Sequence, residues 1–272
     1  MSWITSQPLG RLLAAALCLW LCGQGAALAG APVFTAQSVA RIPHDPAAFT
    51  QGLLFADGAF YESTGLYGQS SRRRLDPVTG KVLAKVSLPP SLFGEGLAFV
   101  GGRLYQLSWR EGKVLVADPA TLAPLAELPL PTEGWGVTVL HGTLVVSDGT
   151  DRLAFYDPKD MTLLGSVAVT DDGAPVTDLN ELEIVAGMIW ANVWHDARIA
   201  VIDPATGRVA AWVDCAALAR PMTAGDPERV LNGIAHDPAT GRIWVTGKDW
   251  PVIHQITVPG LPLGTFRPEA GK

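Results

Sequence analysis

Short apolar runs separated by polar turn clusters fill the chain, and five of them open on a closely similar stretch. These read Phe49-Thr50-Gln51-Gly52-Leu53, Phe93-Gly94-Glu95-Gly96-Leu97, Glu133-Gly134-Trp135-Gly136-Val137, Leu179-Asn180-Glu181-Leu182 and Leu231-Asn232-Gly233-Ile234. After each comes a short alternating segment, at 59–63, 103–109, 143–147, 188–194 and 242–246, the period-two pattern of a half-buried strand. A third repeated feature is an aspartate-proline turn behind apolar residues, at Asp76, Asp118, Asp157 and Asp203, spaced 42, 39 and 46 residues apart. A period of this length filled with short strands means blades of four strands. Five opening stretches therefore predict an all-β fold, a five-bladed β-propeller. The fifth repeat lacks the aspartate-proline turn behind its third strand, whereas residues 34–42 read as a strand ahead of the first repeat. Pairing that N-terminal strand into the last blade closes the ring and removes an exposed edge. One helix is predicted, at 215–220, with Asp214 as its N-cap and Pro221 as its stop.

Composition separates one segment from this pattern. Arg11 precedes the apolar run 12–21, and Ala27-Leu28-Ala29 supplies the small residues of a cleavage site, so residues 1–29 read as a signal peptide and 30–272 as a single propeller domain. The protein is then expected to be exported, periplasmic or secreted. Cys18 and Cys22 leave with the leader and Cys215 stands alone, which excludes an intramolecular disulfide in the mature chain. A formal charge of −6 and the absence of any basic cluster beyond Arg72-Arg73-Arg74 argue against nucleic acid or an anionic membrane as partner.

What varies among the five openings is one residue: Gln51, Glu95, Trp135, Asn180 or Asn232. In a propeller these positions converge at one end of a central channel, and non-identical residues at equivalent places make an asymmetric pocket. Glu95 lies between two glycines, with Phe49, Trp109, Trp135, Trp194 and Trp250 falling near the openings or their strands. A carboxyl enclosed by rings is desolvated, which raises its pKa and suits it to moving protons near neutral pH. Glu62, Glu133, Glu181 and Glu183 are further candidates that serve equally well as strand-end or interblade hydrogen-bond partners. Lys248 follows the fifth alternating strand. Nucleophile elbows, phosphate loops and spaced His/Cys metal motifs are absent from the sequence.

Taken in order, 49–53, 61–71, 93–97, 105–109, 133–138, 147–150, 179–183, 191–194, 231–235 and 245–251 resemble the glutamine cyclotransferase family, the plant and bacterial type of glutaminyl-peptide cyclotransferase. The resemblance spans essentially all of residues 30–272. It implies a five-bladed propeller and conversion of an N-terminal glutaminyl residue to pyroglutamyl with release of ammonia. Glu95 matches the family's catalytic acid/base; Gln51, Trp109, Trp135, Asn180, Trp194 and Lys248 match its substrate-pocket residues, with Phe49 beside Gln51 in the same pocket. Val137 and Ser108 are mild variants nearby. The implied partners are peptides or proteins with N-terminal glutamine, acted on by a monomer. The implied chemistry requires no cofactor, and a structural calcium or zinc in the channel is compatible with it.

Two other classes fit the residues alone. A metal-dependent lactonase-type propeller hydrolase would draw hard oxygen ligands from Glu95, Asn180 and Asn232. A non-catalytic binding propeller would need no proton relay at all.

Overall fold

The computed structural model describes residues 30–262, together with Met1; the expected leader lies outside the described residues apart from Met1. Five antiparallel sheets follow one another around an axis. The first blade runs Thr50–Ala56, Ala59–Thr64, Ser71–Leu75, Val82–Ser87, and the second Gly94–Val100, Arg103–Ser108, Lys113–Ala117, Pro124–Pro129. The third comprises Val137–Leu140, Thr143–Ser147, Arg152–Tyr156 and Leu163–Ala168, and the fourth Leu179–Val185, Met188–Val193, Arg198–Ile202 and Val209–Asp214. The fifth takes Leu231–Asp237, Arg242–Gly247 and Val252–Thr257 from the C-terminal part of the chain and its outer strand, Gln37–Pro43, from the N-terminal part. Each of the four aspartate-proline turns joins the third strand of a blade to the fourth, where the aspartate carboxylate accepts nearby backbone N–H groups.

The predicted closure is present, with one correction. Residues 34–42 do not form one strand: the chain breaks at buried Ala36, whose N–H donates to the Asp214 carbonyl at 2.9 Å. Val33–Thr35 pairs in parallel with Val209–Asp214, adding a fifth strand to the fourth blade, and Gln37–Pro43 pairs antiparallel with Val252–Thr257. The N-terminal segment thus fastens two neighbouring blades. The helix is also longer than predicted, Ala216–Thr223 with Pro221 inside it. Pro221 removes only the bond to the Ala217 carbonyl in a two-turn helix, and the Thr223 hydroxyl donates to the Ala219 and Arg220 carbonyls to finish the last turn. Cys215 occupies the N-cap position without a side-chain cap, while Asp214, one residue earlier, accepts the Ala216 N–H at 2.8 Å.

The core lies in the seams between blades rather than inside one sheet. Leu53, Phe60 and Leu75 of the first blade meet Ala235, Trp244 and Ile253 of the fifth, all buried. At about 1.5–3 kcal/mol for each large side chain withdrawn from water, such seams hold the ring without disulfides. Cys215, the one cysteine among the described residues, is buried and free.

Four of the five inner strands carry a register irregularity at their first residues: between Thr50 and Gly52, Gly94 and Leu97, Leu179 and Leu182, and Leu231 and Ile234. A bulge takes one side chain out of the alternation and re-aims it. The residues so released are the ones that vary between repeats. Close approach around the bore sets the small residues here, since a Cβ on Gly136 would lie 2.0 Å from the Asn180 carbonyl oxygen.

Candidate active site

Glu95 stands at the bulged start of the second inner strand, with 5% of its surface exposed. Its Oε1 accepts a hydrogen bond from Gln51 Nε2 at 3.1 Å, and Gln51 Oε1 accepts one from Asn232 Nδ2 at 2.9 Å. Three inner strands thereby meet in one buried polar chain. Burial pushes the Glu95 carboxyl well above the usual carboxylate range; Lys248 pulls against this, and the charges of Glu111 and Glu133 add to it. Lys248, also 5% exposed, is pushed below the usual lysine range by burial, against the pull of Glu95. Its Nζ lies 4.8 Å from the centre of the Phe49 ring and 5.7 Å from that of Trp194. Both groups are thus drawn toward their neutral forms, as a dry pocket dictates.

Aromatic rings pack beside Lys248 and against one another. Trp135 and Trp194 meet edge to face at 5.7 Å, and Phe93 touches Phe49, Trp109 and Tyr67 at 6.4, 5.4 and 5.4 Å. Phe49, Trp109, Trp135 and Trp194 are all half-buried, so each keeps part of its surface open. Gly149, at φ +80°, gives the Trp135 indole its place: a Cβ there would fall 2.6 Å from the ring. Glu133 fixes two walls at once, its Oε2 accepting the indole N–H of Trp109 at 3.0 Å and of Trp135 at 3.2 Å while Arg110 holds Oε1 at 3.0 Å. Burial pushes the Glu133 carboxyl up, but these three hydrogen bonds outweigh it and hold the group below the usual range. Two polar atoms in the pocket residues are left without a partner, the Trp194 indole nitrogen and Asn180 Oδ1.

The structure therefore brings Phe49, Gln51, Glu95, Trp109, Trp135, Asn180, Trp194 and Lys248 to one end of the bore, each at the start of an inner strand or just past the end of the strand beside it. Trp250 does not join them: it is fully buried, with its indole N–H on the Arg229 carbonyl at 2.9 Å, and belongs to the core. The other carboxylates separate by their partners. Glu62 is fully buried between His44 and Thr50, each at 2.8 Å, and Glu181 receives the Leu53 and Ile234 N–H groups at 3.2 and 2.8 Å across the bore. Glu183, pushed up to about 8 by burial, lines a cavity of about 630 Å³ with His236 and Thr138 at the opposite ends of the inner strands. Phe93 and Tyr67, which the sequence alone did not single out as walls, complete the aromatic side. Phe93 is an apolar residue in an apolar run and reads there as core; its place one residue before the bulge is the signal that distinguishes it. Among the described residues no three His, Cys, Asp or Glu side chains are grouped as metal ligands.

A family model described as glutamine cyclotransferase matches residues 11–258. The chain belongs to the glutamine cyclotransferase family. The glutaminyl-peptide cyclotransferase of Arabidopsis thaliana is 40% identical over 222 residues, covering 80% of this chain and 69% of that one. The crystal structure of Myxococcus xanthus glutaminyl cyclase aligns with a TM-score of 0.79 at 40% identity, over 84% of this chain and 98% of that chain. The ring geometry and the family assignment thus agree.

Proposed function

We infer that this cyclotransferase-family chain is a glutaminyl-peptide cyclotransferase, closing an N-terminal glutaminyl residue to pyroglutamyl and releasing ammonia. The observation that carries the chemistry is Glu95, a carboxyl raised by burial, tied by one oxygen to Gln51 and under the pull of Lys248, whose Nζ lies over the Phe49 and Trp194 rings. The reaction is internal to one residue: the α-nitrogen bonds to the γ-carboxamide carbon, the C–N bond to the amide nitrogen breaks, and that nitrogen leaves with three hydrogens. No second molecule has to be brought in, so the site needs to hold one side chain curled with amine and carbonyl in contact.

Glu95 accepts a proton from the attacking amine and delivers one to the departing nitrogen, which avoids an amide anion as leaving group. The developing negative charge on the carboxamide oxygen calls for a donor, and Lys248, Gln51 and the Asn180 amide are the candidates. Half-buried indole rings suit a cationic N-terminus before it gives up its proton, and they help keep water from the acyl carbon. The steps balance without a metal or redox group, and the reading takes the enzyme to work without a cofactor.

Peptides and proteins carrying N-terminal glutamine are the substrates on this reading, and a monomer suffices because one chain supplies every wall. The leader pattern at 1–29 supports export to the periplasm or the medium, as does a mature chain with a single cysteine. Ammonia release from a Gln-dipeptide tests the activity directly. Turnover by the wild-type chain that disappears in Glu95→Gln is expected; equal turnover by both would remove Glu95 from the mechanism.

A further inference from the structure

Asn232 is fully buried at the bulged start of the fifth inner strand. Its Nδ2 donates to the Thr50 carbonyl at 3.0 Å and to Gln51 Oε1 at 2.9 Å. A backbone carbonyl only accepts, so the atom facing it has to be the amide nitrogen, and the orientation of Asn232 is settled by the main chain. The second hydrogen on that nitrogen then requires an acceptor from Gln51, which leaves Gln51 Nε2 pointing at Glu95 Oε1, 3.1 Å away. Orientation passes from a main-chain atom through two amides to one carboxyl oxygen. Glu95 Oε2 has no hydrogen bond among the described residues.

We propose that Asn232 is a positioning residue for the cyclisation, holding the Gln51 amide with its nitrogen toward Glu95 so that Oε1 stays an acceptor and Oε2 is the oxygen that exchanges a proton with substrate. This rests on the cyclotransferase reading and deepens it. Released from Asn232, the Gln51 amide is free to turn over. Its oxygen would then face Glu95 and be satisfied only by a protonated carboxyl, which fixes the proton on the wrong oxygen and removes support from the carboxylate form. The position also discriminates between asparagine and aspartate: a carboxylate would set oxygen against both the Thr50 carbonyl and Gln51 Oε1, leaving two buried acceptors unpaired. Asn192 fixes the neighbouring backbone, its Oδ1 accepting the Gly233 N–H at 2.9 Å, while Asn232 Oδ1 is without a partner. Of the two ends of the Asn232 amide, the donor end is the one in use.

A purely structural role, tying the fifth blade to the first, predicts something different, and a double-mutant cycle separates the two. In Asn232→Ala, kcat on a Gln-peptide should fall about ten- to hundredfold with a smaller change in KM, the scale of losing an oriented hydrogen bond to a charged group. Once Gln51→Ala is already present, Asn232→Ala should change kcat by less than about twofold, because the partner it acts through is gone. A loss that persists in full in the Gln51→Ala background overturns the proposal, as does wild-type kcat in Asn232→Ala. Asn232→Ser, which keeps a hydroxyl donor near the Thr50 carbonyl, adds no charge and is too short to reach Gln51, serves if the alanine variant fails to fold. Independently of turnover, the Glu95 carboxyl followed by 13C NMR should titrate at higher pH in the Asn232 variant than in the wild type. An unmoved titration refutes the positioning role whether or not the peptide is a substrate, whereas an inactive wild type with a shifted titration removes the activity and leaves the geometry standing.

Discussion

Glu133 Oε2 accepts the indole N–H of Trp135 at 3.2 Å, although the two residues are separated only by a glycine. The same oxygen takes the Trp109 indole at 3.0 Å from another strand end, so one carboxylate sets the spacing of two walls of the pocket. Glu133→Ala should free both rings, and kcat/KM should fall about ten- to hundredfold, chiefly through KM, as expected for loss of two hydrogen bonds to a charged acceptor. Glu133→Gln keeps an acceptor and should lose less. Steady-state kinetics on a Gln-peptide checks the split; an unchanged KM in Glu133→Ala would detach Glu133 from substrate binding.

Glu95→Gln preserves shape but not proton exchange, so turnover should drop by about two to four orders of magnitude. Stability should move the other way. A carboxyl whose folded pKa is raised costs the fold nothing below its ordinary value of 4.5 and weakens it progressively as pH rises through the raised value. Removing the ionisable group therefore makes the variant more thermostable than wild type at neutral and alkaline pH, with the gap closing toward pH 4.5. Melting curves against pH measure this, and a variant that melts below wild type at pH 8 would contradict it.

His44 and Glu62 form an ion pair at 2.8 Å with both side chains almost wholly buried. Burial alone would push the imidazole down, but the charge and hydrogen bond of Glu62 outweigh it and hold His44 above its ordinary 6.5. Burial would likewise push Glu62 up, and His44 with Arg73 hold it below its ordinary 4.5. The stabilisation is complete between those ordinary values. It is lost upward as His44 deprotonates through its raised pKa, and downward as Glu62 takes a proton below 4.5. Glu62→Gln should lower the melting midpoint by roughly 6–20 °C near pH 6, from about 3–5 kcal/mol for breaking a buried pair, and should flatten the alkaline slope. An equal midpoint at pH 6 would show that the pair contributes nothing net.

Gly149→Ala tests how firmly the Trp135 wall is seated. The new Cβ falls 2.6 Å from the indole in a backbone conformation with φ +80°, so either the ring or the turn has to move. Reduced kcat/KM together with a shifted tryptophan emission is the expected result. Unchanged emission and kinetics would mean that the ring tolerates the intrusion.

The repeats were legible because a blade announces itself locally: a glycine-flanked opening, an alternating strand and an aspartate-proline turn recur at a near-constant period. The variable residues of the openings, such as Gln51 and Glu95, were legible for the same reason, since they are the changing letters in a fixed frame. The break at Ala36 was not, because neither proline nor glycine marks it. The chain changes partner there from Val209–Asp214 to Val252–Thr257, and that choice depends on strands encoded far downstream. His44 and Glu62 carry no mutual signal in the sequence either; they meet only after the first blade has folded against the loop that contains Trp250. Asn232 was recognisable as the varying residue of the fifth opening, but its bearing on Glu95 depends on which end of an amide faces which atom, and only the assembled bore fixes that.

The strand that closes the ring also imposes an order of events. Gln37–Pro43 is made early, yet its partner is the last strand of the described fold, and contacts such as Ser38 Oγ to His254 Nδ1 join residues 216 positions apart. Until Val252–Thr257 is available, Gln37–Pro43 has no edge to pair with, and the first blade waits with its seam toward the fifth uncovered. Long-range pairing of this kind slows folding and leaves apolar surface exposed in the meantime. Because Asn232 and Lys248 come from the fifth blade while Gln51 and Glu95 come from the first two, a chain stalled before closure has no assembled pocket. Catalytic competence and completion of the ring should therefore appear in the same kinetic phase of refolding.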